Sequence, residues 1–79
     1  MPKLPVISSK QIIRVLQKAG FEYAHKRGKG SHLAFVKRGQ DKTRLVIVPD
    51  RNEVPKGTLI AILDQAGLTR EEFMELLKE

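Results

Sequence analysis

Two short runs, His32-Leu33-Ala34-Phe35-Val36-Lys37 and Arg44-Leu45-Val46-Ile47-Val48, are joined by the turn Arg38-Gly39-Gln40-Asp41-Lys42. Both carry the apolar and β-branched residues that suit a pleated, half-buried surface. The connection is far shorter than a parallel crossover, which takes a dozen or more residues, so the pair predicts an antiparallel hairpin. Pro49 ends the second run. Upstream, Phe21-Glu22-Tyr23-Ala24-His25-Lys26 alternates in the same way and predicts a further strand. It reaches His32 through the basic connector Arg27-Gly28-Lys29-Gly30-Ser31. The whole reads as a three-stranded antiparallel meander.

Helices flank it. Ser8 and Gln11 have the capping-box spacing, and Ile12, Ile13, Leu16 and Ala19 recur on one helical face before Gly20. Pro55 suits the first turn of a second helix, whose apolar face is Leu59, Ile62, Leu63 and Ala66 and whose end is Gly67. Thr69 and Glu72 repeat the capping-box spacing ahead of Phe73, Leu76 and Leu77, which predicts a short third helix. The order α-β-β-β-α-α predicts an α+β fold with one sheet face covered by helices. It matches the double-stranded-RNA-binding fold with a short helix added at the end. A chain of 79 residues buries only a thin core, so we expect one domain over 1–79 and chemistry carried by few side chains.

Composition narrows the function classes. There is no cysteine, which excludes disulfide scaffolds and thiolate zinc sites. No stretch approaches the roughly 20 apolar residues of a transmembrane helix, and Met1-Pro2-Lys3-Leu4-Pro5 does not resemble a signal peptide. A cytoplasmic protein without membrane contact is the expectation. The net charge is +6, and its distribution is uneven. Lys26, Arg27, Lys29, Lys37, Arg38, Lys42 and Arg44 cluster against Asp41 alone, whereas the stretch after Arg44 is net acidic. Such a patch attracts polyanions, with nucleic acid the default partner.

The sequence has two histidines, His25 and His32. Histidine is suited to proton transfer near neutral pH. RNA cleavage by internal attack needs a base for the ribose 2′-hydroxyl, an acid for the departing 5′-oxygen, and positive charge for the phosphate. None of this requires a metal or another cofactor, and no His-x-x-x-His or paired-carboxylate spacing suggests a metal site. His32 follows Lys29-Gly30-Ser31, where glycine lets the backbone approach a phosphate and Ser31 either bonds to it or shapes the turn. His32 is therefore a candidate for that proton transfer, weighed against the commoner structural or inert role of a lone exposed histidine, with Lys29, Gly30 and Ser31 as candidate RNA contacts. Lys26, Arg27 and Lys37 are weaker contacts. Lys37 ranks last, because alternation along the strand turns it away from the face of His32. His25 reads mainly as a packing or surface residue, and Tyr23 as a half-buried sheet tyrosine rather than one that stacks on a base.

Lys29-Gly30-Ser31-His32 resembles the signature of the HicA (YcfA-like) toxins of type II toxin–antitoxin systems. Ser8-Ser9-Lys10 through Leu16 with Lys18-Ala19-Gly20-Phe21 resembles the family's opening helix. Val48-Pro49, Lys56-Gly57-Thr58-Leu59, Ile62-Leu63, Gln65-Ala66-Gly67-Leu68 and Glu72-Phe73 resemble its second half, so the likeness runs nearly end to end. It implies a double-stranded-RNA-binding-like fold and cleavage of mRNA with His32 as active residue. It further implies neutralisation by a HicB-type antitoxin, with operator DNA contacted only indirectly through the toxin–antitoxin complex, and growth arrest as the outcome. The chain departs from many relatives after Pro49, where Asp50-Arg51 stands in place of a histidine. Two other readings fit the residues: a non-catalytic RNA-binding module, and a small interaction protein with a basic surface for an acidic partner.

Overall fold

The computed structural model describes residues 6–24 and 32–78. The elements are α1 (Ser9–Lys18), β1 (Glu22–Tyr23), β2 (His32–Arg38), β3 (Thr43–Pro49), α2 (Lys56–Ala66) and α3 (Arg70–Lys78). This is the expected α+β order.

The sheet runs β1-β2-β3, antiparallel throughout. Residues directly opposite one another across an antiparallel pair share a face. The register pairs Leu33 with Val48, Phe35 with Val46 and Lys37 with Arg44, and these form the inner face. His32 with Pro49, Ala34 with Ile47 and Val36 with Leu45 form the outer face. β1 is shorter than its alternation predicts, although the Ala24 N–H still donates to the Ala34 carbonyl at 2.8 Å and prolongs the pairing.

Helices cover the inner face. Phe35, Val46 and Val48 join Ile12, Val15 and Leu16 of α1, Leu59, Ile62, Leu63 and Ala66 of α2, and Phe73 of α3 in one buried cluster. α1 packs on α3 and β3, and α2 packs on β3. Removing the ring of a residue such as Phe35 costs about 3–5 kcal/mol, since transfer and cavity terms add. The outer face has no helix over it among the described residues, and Leu45 and Ile47 are exposed there.

Local chemistry sets the helix ends. The Gln11 N–H donates to Ser8 Oγ at 3.3 Å, and the Ser8 N–H donates to Gln11 Oε1 at 3.0 Å, which closes the expected capping box. Thr69 and Glu72 close a second one, with bonds of 2.8 and 3.0 Å. α1 and α2 end alike. The N–H of Gly20 donates to Gln17 O and that of Phe21 to Leu16 O; the N–H of Gly67 donates to Asp64 O and that of Leu68 to Leu63 O. Both are Schellman turns, which need a residue at positive φ. Gly20 (φ +98°) and Gly67 (φ +72°) provide it. Pro55 lies one position earlier than expected. It is the N-cap, extended at φ −56°, ψ 146°, and its carbonyl accepts the first helical bond from the Leu59 N–H.

The segment before α1 is tied to the segment after β3. Ile7 and Val54 form an isolated antiparallel bridge. Ser9 is buried, and its N–H donates to Arg51 O at 2.9 Å. Its hydroxyl accepts from the Arg51 N–H at 3.2 Å and donates to Asp50 Oδ1 at 3.3 Å.

Candidate functional site

His32 is the first residue of β2 and is exposed. It stands opposite Pro49, the last residue of β3. Proline has no N–H to give to a ladder, so pairing stops at this position. The imidazole therefore projects from the rim of the sheet on the outer face, beside Ala34 and the exposed Ile47. Just beyond Pro49, Asp50 and Arg51 are held by their bonds to Ser9. The stretch that departs from the expected histidine thus anchors the strand end facing His32 to the start of α1.

The expected RNA contacts Lys26, Arg27, Lys29, Gly30 and Ser31 lie outside the described residues, as does His25. Their sequence position leads directly into His32. Lys37 is described and lies elsewhere: it is on the inner face, five residues along β2 from His32. Its ammonium donates to the Ala19 carbonyl at 2.7 Å and sits 5.9 Å from the centre of the Phe21 ring. These contacts place its charge at the C-terminal end of α1, where a cation is favoured. Tyr23 is more exposed than expected, at 54%, because it lies on a short edge strand. It meets Phe35 edge to face at 5.6 Å between ring centres and so faces away from His32.

The structure adds a basic cluster that sequence reasoning placed in the positive stretch without assigning it a site. Arg44, opposite Lys37, turns towards the end of α2, and a Cβ on Gly67 would lie 2.6 Å from its guanidinium carbon. Lys37, Lys42 and Arg44 border a cavity of about 220 Å³. The alternation of β3 signals that Arg44 points inwards, but nothing local signals that it meets a helix end.

An exposed histidine at a strand end can take or give a proton to a ligand lying over the outer face. Among the described residues, no group of three or more His, Cys, Asp or Glu side chains is placed to hold a metal ion. No helix there is long and apolar enough to cross a membrane.

A comparison with curated proteins returns no match. A family model described as the HicA toxin of bacterial toxin–antitoxin systems matches residues 9–68, from the start of α1 through the turn after α2. That span covers most of the chain, including the whole sheet and His32, and the chain therefore belongs to the HicA toxin family.

Proposed function

We propose that this toxin is a metal-independent endoribonuclease that cleaves mRNA, with His32 as the catalytic residue. The observation that carries the reading is the position of His32, exposed at the start of β2 on the sheet face that no helix covers among the described residues, and directly after the basic Lys29-Gly30-Ser31 run. As general base, His32 takes the proton of the ribose 2′-hydroxyl. The 2′-oxygen forms a bond to the adjacent phosphorus, the bond to the 5′-oxygen breaks, and that oxygen leaves as a hydroxyl with a proton taken from solvent water. The products are a 2′,3′-cyclic phosphate end and a 5′-hydroxyl end. Lys29, with Lys26 and Arg27, supplies positive charge to the crowded phosphate. Gly30 and Ser31 shape the approach. Lys37, committed to the end of α1, has a structural role in this scheme.

Membership of the family makes the protein the toxin of a pair, with an antitoxin as partner. In this reading a HicB-type antitoxin neutralises it by covering the outer face. Exposed Leu45 and Ile47 share that face with His32 and provide apolar area for such a cover.

The test is cleavage of end-labelled single-stranded RNA in EDTA by the wild type and by His32→Ala, with folding compared by circular dichroism. General acid–base catalysis by one side chain contributes about 10²–10⁴-fold. A loss of that size in a folded variant supports the assignment. Full activity in His32→Ala overturns it, and RNA binding with no cleavage by either protein favours a non-catalytic RNA-binding module.

A further inference from the structure

Arg44 is half-buried and carries a guanidinium with five N–H donors. None of them makes a hydrogen bond or ion pair among the described residues. Its guanidinium lies against Gly67, which leaves the space that a side chain would fill. The negative end of α2 favours a cation there but saturates none of its donors. Opposite it stands Lys37, and like charges directly opposed across a sheet destabilise it. Lys42, on the turn, adds a third cation to the same cavity of about 220 Å³. The one carboxylate on that cavity, Glu72, already accepts from the Thr69 N–H at 2.8 Å. A fork of unbonded donors, with two further cations and one carboxylate around the same cavity, matches an oxyanion, and guanidinium binds phosphate in bidentate fashion.

We infer that this cavity is a phosphate-binding site and that it holds a backbone phosphate of the bound RNA. Arg44 grips the phosphate through two parallel N–H bonds and Lys42 closes on it from the turn, while Lys37 stays bonded to Ala19. The identity of the ligand rests on the ribonuclease reading; the anion site does not. Lys37 is five residues from His32 along β2, about 17 Å at the rise of a strand. The phosphate held here is therefore not the one that is cleaved, and the site anchors the RNA several nucleotides from the scissile bond.

The experiment follows amide signals in ¹H–¹⁵N spectra during titration with inorganic phosphate, against chloride at matched ionic strength, and then with a 2′-O-methyl RNA oligonucleotide that cannot be cut. Wild type, Lys42→Gln, Arg44→Gln and Arg44→Lys are compared. We expect both ligands to move the signals of Gly39, Lys42, Arg44 and Gly67. We expect Lys42→Gln and Arg44→Gln each to flatten the plot of log affinity for RNA against log salt by about 0.7, the value of one phosphate contact on a single strand. Arg44→Lys keeps the slope and binds more weakly, because it retains the charge without the fork. Lys42 is on an exposed turn, so its variant tests the site even if the Arg44 variants fold poorly. Phosphate moving these signals while RNA does not overturns the RNA assignment. RNA binding with unchanged affinity and slope in the folded variants overturns it too, and phosphate that leaves these signals where chloride does overturns the anion site itself. Cleavage is measured separately: a wild type that binds RNA at this cavity without cutting it leaves the site standing and removes the ribonuclease reading.

Discussion

Lys37 and Arg44 face each other across β2 and β3 on the covered side of the sheet, and each reaches the C-terminal end of a different helix. Lys37 bonds to Ala19 at the end of α1, and Arg44 lies over Gly67 at the end of α2. Both helices end in Schellman turns built on a glycine. The hairpin is thereby fastened to two helix ends through one cross-strand pair. Attraction to the negative helix ends, with the Lys37 bond to the Ala19 carbonyl, offsets part of the repulsion of two cations placed side by side.

The Lys37 contact has a measurable value. Lys37→Met keeps the aliphatic stem and removes the charge and the bond to Ala19. Because the group is exposed, a loss of about 1 kcal/mol is expected, from one charged hydrogen bond in partial contact with water. In a domain of this size that lowers Tm by about 4–8 °C, read by thermal denaturation. An unchanged Tm would remove the fastening role.

Gly67 and Gly57 are predicted to respond with opposite signs to alanine. Gly67 has φ +72°, and a Cβ there would strike Arg44. Gly67→Ala is expected to cost about 2 kcal/mol, from left-handed strain together with displacement of the guanidinium. Gly57 is in α2 with nothing within 4 Å of an added Cβ. Gly57→Ala is expected to stabilise by about 0.5 kcal/mol, since alanine loses less backbone entropy. Urea denaturation of the two variants checks both signs.

Ser9→Ala removes a buried hydroxyl that serves Arg51 and Asp50. The Arg51 N–H then loses its acceptor, at a cost of about 1–3 kcal/mol. The expected change in ¹H–¹⁵N spectra centres on Asp50 and Arg51, next to the strand end that faces His32. A response confined to α1 would show that the tie does not hold this segment.

His32→Ala is expected to leave stability within about 0.5 kcal/mol of wild type, because the side chain is exposed at a strand end. Denaturation midpoints measure this directly. A large destabilisation would make His32 a structural residue and would undermine its catalytic assignment.

Leu45 is 49% exposed on the outer face. Leu45→Lys is expected to leave the denaturation midpoint nearly unchanged while weakening binding of a HicB-type antitoxin at least tenfold, as a charge enters an apolar contact. Calorimetric titration of the pair tests it. Unchanged affinity would place the antitoxin on another surface.

The elements and the faces they bury are legible in the chain itself. Ser8 with Gln11, Thr69 with Glu72, and the turns at Gly20 and Gly67 depend on residues a few positions apart, and all form as their spacing predicts. Alternation along β2 separates the faces of His32 and Lys37, because neighbouring side chains on a strand point to opposite sides. What the cations on the inner face do was not legible. Lys37 meets an atom 18 positions away, and Arg44 meets Gly67 across the gap between sheet and helix. Ser9 meets Arg51 from 42 positions away. Periodicity describes which side of an element a residue occupies, whereas these partners depend on how the elements pack. The chain alone therefore determined the order of elements, the buried faces and the placing of His32 at a strand start. Only the tertiary structure decided that Lys37 and Arg44 serve helix ends and share a cavity, because long-range contacts exist only once the sheet and helices close on a common core.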